Sequence, residues 1–115
     1  MRVVASTLPS ARWPRTLEHM IREFLTRREN FKRLLRATEL VGEELSAKSY
    51  DFWQSQETPE MHFRRDIDGL AMHFDIDWYK RGDGSLFVDI VGSGPLPTNF
   101  GVRPRQYFVV KQAPK

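Results

Sequence analysis

A two-layer α+β domain is what this sequence predicts: an N-terminal helix, one long or two consecutive, packed on a four- to five-stranded, mainly antiparallel sheet. Three observations carry the prediction. Apolar residues recur at helical spacing from Arg15 to Ala47. Residues Glu60–Val91 alternate apolar and polar through two tight turns. A Gly/Pro-rich stretch, Gly92–Arg105, then leads into a last β-rich run, Gln106–Lys111. At 115 residues the chain is one domain by length. It divides into an N-terminal arm, 1–14, and an α+β domain, 15–115.

The N-terminus carries Arg2, Arg12 and, just past the arm, Arg15, with no acid before Glu18, and a short edge strand is expected at Arg2–Ala5. Trp13-Pro14 starts the helical part, because proline is tolerated in a first helical turn. On a helical wheel Leu17, Met20, Ile21, Phe24, Phe31, Leu34, Leu35, Val41 and Leu45 form one broad stripe, with Arg22, Glu29, Arg33 and Arg36 opposite. Thr26-Arg27-Arg28-Glu29 spells a capping box and argues for a break. The stripe keeps its phase through Phe31, which favours one continuous helix. Gly42 is a weak point in it, worth roughly 1 kcal/mol against alanine. Lys48–Gln56 is rich in aromatics and reads as a first strand, with either Phe52 or Trp53 inward.

The central meander specifies its own register. Asp68-Gly69 is the signature of a two-residue type I′ turn. It pairs Ile67 with Leu70, Arg65 with Met72, Phe63 with Phe74 and Met61 with Ile76. The intervening residues pair Arg64 with His73, His62 with Asp75 and Glu60 with Asp77. One face is apolar except for Arg65. A second turn around Arg81-Gly82-Asp83-Gly84, read as a three-residue loop with a glycine bulge, pairs Trp78 with Leu86, Ile76 with Val88 and Phe74 with Ile90. That register sets Asp75 beside Asp89. A one-residue slip in either hairpin puts Asp89 or His62 into the core, so the inward face is well determined.

Composition bounds the function. Without cysteine there is no disulfide, thiolate metal site or cysteine nucleophile. No apolar run approaches the roughly 20 residues a bilayer span needs, so no membrane role is expected and the cytoplasm is the default location. The net charge of +3 is uneven: residues 1–48 carry ten Lys/Arg against six Glu, and residues 49–115 eight against nine acids. That asymmetry permits an anionic partner without requiring one.

Four sets of residues carry chemistry worth weighing. His62, His73, Asp75 and Asp89 lie on the outward face, at ligand spacing for a divalent metal if the predicted pairing holds. A solvated face with His62 beside Asp75 is the simpler account of the same residues. Those side chains also supply a base and its orienting carboxylate, but no nucleophile accompanies them. Arg27, Arg28, Lys32 and Arg36 form a basic helix surface suited to phosphate, although acids at spacing four suggest a solvated face and the sheet opposite is acidic. Phe87, Val91, Leu96, Phe100 and Tyr107 are apolar residues left over once the core is assigned, and an apolar patch with a charged rim marks protein–protein contact. The sequence is therefore expected to encode a small non-enzymatic binding or adaptor protein without a cofactor, engaging another protein or its own copy through the outer sheet face and the 92–105 loop. The alternatives are a metal- or ligand-binding domain, hydrolytic in one form, and a nucleic-acid-binding helix.

Overall fold

A computed structural model describes residues 15–114. The arm, the edge strand at Arg2–Ala5 and the helix start at Trp13-Pro14 lie outside the described residues. The helical periodicity becomes a single helix, α1 (Arg15–Ser46). Thr26 does not cap a second helix. Its hydroxyl donates to the Arg22 carbonyl one turn back (3.0 Å), the bond a threonine makes inside a continuous helix.

Four strands follow α1: β1 (Glu60–Ile67), β2 (Leu70–Lys80), β3 (Leu86–Gly94) and β4 (Arg105–Val110). They form one antiparallel sheet in the order β1-β2-β3-β4. The first hairpin has the register expected from its turn, every pair from Glu60–Asp77 to Ile67–Leu70 included. Asp68 and Gly69 both have positive φ, 51° and 79°, as a type I′ turn requires.

The second hairpin differs from expectation by two residues. Trp78 pairs with Val88, Ile76 with Ile90, Asp77 with Asp89 and Asp75 with Val91. The loop sits one residue later than its glycines suggest. Arg81 N–H donates to the Ser85 carbonyl (2.7 Å) and Gly84 N–H to the Arg81 carbonyl (3.0 Å). The Asp83 carboxylate accepts from Ser85 N–H (2.9 Å), which fixes the corner one step along. A two-residue shift preserves the face of every side chain, so the inward set is unchanged while every partner across β2 and β3 is exchanged. The expected Asp75–Asp89 pair is thereby lost.

Lys48–Gln56 is not a strand. Tyr50–Gln54 forms a short helix, α2, whose N-cap Ser49 accepts from Phe52 N–H (3.1 Å). Tertiary packing overrides β-propensity here. Trp53 is fully buried, edge-on to Trp78 at 4.9 Å between ring centroids and 6.0 Å from Phe108. Tyr50 is held by its hydroxyl, which donates to the Gly84 carbonyl (2.7 Å). The α2 aromatics thus plug the end of the sheet beside the second hairpin loop.

The core lies between the inner sheet face and the C-terminal half of α1. Leu34, Ala37, Thr38, Val41 and Leu45 are buried against Phe74, Ile76, Val88 and Ile90. Gly92 permits this approach: a Cβ built there would stand 2.8 Å from both Leu34 Cγ and Thr38 Oγ1. Arg65, the inner-face exception, is paired with Glu44 of α1 and lies 5.5 Å over the Phe63 ring. The N-terminal half of α1 extends past this layer. The molecule measures 70 × 28 × 19 Å, with a radius of gyration of 19.9 Å. A compact domain of this length has about 13 Å. No helix among the described residues is long and apolar enough to cross a membrane.

Candidate functional site

The outer face of the sheet is built by the period-2 alternation that builds the core. With Phe74, Ile76 and Val88 inward, Asp75, Asp77, Tyr79, Phe87, Asp89 and Val91 point outward from β2 and β3. The two-residue shift brings Tyr79 opposite Phe87, with Val109 of β4 beyond it. Tyr79 and Phe87 lie 5.4 Å apart between centroids, and Phe87 stacks on Tyr107 at 5.3 Å and 24°. The outer rings of this ladder are open to solvent, Tyr79 at 60% and Tyr107 at 67% of full exposure.

A row of carboxylates runs beside the ladder. Glu60, Asp77 and Asp89 stand directly opposite one another across β1, β2 and β3. Like charges so placed repel. Asp89 is relieved by Arg105 of β4, whose Nε is 3.2 Å from its Oδ1. One step along, His62 Nδ1 is 2.6 Å from Asp75 Oδ1. Thr58, Glu60, His62, Asp75 and Asp77 line a shallow recess at this edge.

Of the His/Asp set, the structure joins His62 to Asp75 and separates the others. His73 pairs with Arg64 and Gly94, and Asp89 stands opposite Asp77 rather than Asp75. Among the described residues no group of three His, Asp or Glu is placed to hold a metal ion. Of the basic set, Arg28, Lys32 and Arg36 succeed one another at spacing four along α1, and Lys32 is paired with Glu29 at 3.4 Å. Arg27 is turned away. Its guanidinium holds Glu23 (2.8 Å), keeping that carboxyl below its ordinary pKa, and donates to the Thr98 carbonyl (3.3 Å).

The apolar set divides between two surfaces. Phe87, Val91 and Tyr107 share the outer face. Leu96 is half-buried against the core. Phe100 lies on the helix side, 90% exposed and edge-on to Phe24 at 6.4 Å. Contacts from Arg27 to Thr98 and from Asn30 Nδ2 to the Pro97 carbonyl (3.0 Å) hold the loop against α1. The loop and the outer sheet face are therefore not one patch, as the sequence reading joined them.

Two groups escaped that reading. Tyr79 completes the ladder; the expected register left it opposite Ser85, beside the turn. Leu17, Met20, Ile21 and Phe24 belong to the predicted apolar stripe but are 39–65% exposed. Alternation around the shifted turn was the available signal for the first group. For the second there was none, because periodicity is the same whether a stripe is covered or bare.

No protein-family model, curated protein or solved structure matches the chain.

Proposed function

We propose that this chain is a small non-enzymatic binding protein whose outer sheet face engages a protein partner. The exposed aromatic ladder Tyr79–Phe87–Tyr107 carries the reading. Tyrosine supplies large contact area with few rotamers to freeze and a hydroxyl that stays satisfied at a wet rim, so it is enriched where proteins meet. The carboxylate row along one side gives the patch a charged edge, and hence selectivity for a partner with basic groups there. The recess at His62 and Asp75 supplies a base and a carboxylate, but the Thr58 hydroxyl at its rim donates to the Glu60 carbonyl (3.3 Å) rather than to His62, so it is not poised as a nucleophile.

A photo-crosslinking side chain at Tyr107, compared with one at Arg81 in the hairpin loop, tests the reading in cells that express the protein. Protein adducts are expected at 107 and not at 81. Equal labelling, or none at either position, removes the outer face as a binding surface.

A further inference from the structure

The N-terminal half of α1 carries a second unpartnered apolar surface. Leu17, Met20, Ile21 and Phe24 repeat at spacings of three and four on one side of the helix and are 39–65% exposed, with Phe100 edge-on to Phe24. The projecting segment keeps an amphipathic pattern, and its apolar side gains free energy when it is buried against another surface.

Charge selects that surface. Residues 15–33 carry six Lys/Arg against three Glu, and on the side of the apolar stripe stand Arg28 and Lys32, with Arg15, Arg22 and Arg33 opposite. The outward positions of the four strands carry five acids, Glu60, Asp66, Asp75, Asp77 and Asp89, against Arg64 and Arg105. A basic helix with an apolar stripe thus matches an acidic sheet face with an aromatic ladder. Lengths also agree. Nineteen helical residues span about 28 Å, and the nine residues of β3 about 30 Å. A helix laid there gives the sheet a second covering layer, the usual way both faces of a sheet are buried.

We infer that the occupant of the outer sheet face is the projecting half of α1 from a second copy of this chain. The inference rests on the outer face being a protein-binding surface and names its partner. The contact is heterologous, helix to sheet, so it closes as a reciprocal dimer or extends head to tail.

Two full-length variants and their mixture test it by sedimentation. Phe24→Asp removes the helix side of the contact and Tyr107→Asp the sheet side; both positions are exposed, and unchanged melting confirms the fold. Wild type should sediment above monomer mass with rising concentration. Each variant alone should remain monomeric, and the two mixed should form a one-to-one complex, because each retains the half the other has lost. The inference is overturned by a wild type that stays monomeric, by either variant associating alone as wild type does, or by a mixture that stays monomeric. A monomeric wild type with adducts to other proteins at position 107 rejects the second copy and leaves the binding surface standing. Absence of adducts as well rejects both.

Discussion

The two halves of α1 have the same amphipathic pattern and opposite environments. Leu34, Val41 and Leu45 are 0–2% exposed, whereas Met20, Phe24 and Leu25 are 45–65% exposed. The helix is one unbroken element of 32 residues, about 48 Å long. β3 and β4 beneath it have nine and six residues, and the sheet runs out before the helix does. Periodicity states that one side of a helix favours burial. It does not state by what, and in this protein the described residues leave the first half of the stripe exposed.

The largest test of this contrast compares alanine substitutions in the two halves. Leu34→Ala is expected to cost about 2–5 kcal/mol by leaving a cavity in a packed core. Ile21→Ala at the lowest workable concentration should change stability by less than about 0.5 kcal/mol, since little of its own chain touches it. Similar losses at both positions by denaturant titration would mean that the distal half is buried within its own chain.

A smaller effect separates two buried glycines under the covered half. Gly92→Ala drives a Cβ into Leu34 and Thr38 and should cost about 1–3 kcal/mol. At Gly42 the nearest atoms to such a Cβ are 3.7 Å and 3.8 Å away, in Gln106 and Ile90, an ordinary contact. Gly42→Ala should therefore stabilise by roughly 0.5–1 kcal/mol through helix propensity. A destabilised Gly42→Ala would show that the helix lies closer to the sheet than described.

The smallest effect belongs to the second hairpin loop, the feature that aligns the ladder. Hydrogen bonds from the Ser85 side chain and then its backbone hold the Asp83 carboxyl below its ordinary pKa. A lowered folded-state pKa favours the fold above the unfolded value and loses that contribution as pH falls through the folded one. Ser85→Ala should raise the Asp83 midpoint toward the ordinary value in an NMR titration. An unmoved midpoint would assign the shift to other groups.

The candidate site was legible to the extent that its cause is local. The parity of Phe87 and Val91 follows from alternation, whereas the last strand is apolar on both faces and only its pairing with β3 turns Tyr107 outward. Pairing within the site was not legible, because the loop Arg81–Ser85 has two glycines and one of two corners was taken. A single Asx-type bond from Asp83 decides the matter. The same step replaced the expected Asp75–Asp89 pair by Asp77–Asp89. Arg65 looked like an error in an apolar face until Glu44, 21 residues earlier, supplied its partner.

By itself the sequence determined the first hairpin to the residue and the inward face of the meander, and it favoured one continuous helix. Each depends on φ at two turn positions or on a repeat of 2 or 3.6 residues, which neighbouring residues set among themselves. Only the tertiary structure decided that α2 is a helix around a buried Trp53, that the loop lies along α1, and that the described residues leave half of the helical stripe exposed. Those outcomes depend on which surfaces meet and where the shorter one ends, and packing between distant segments sets both.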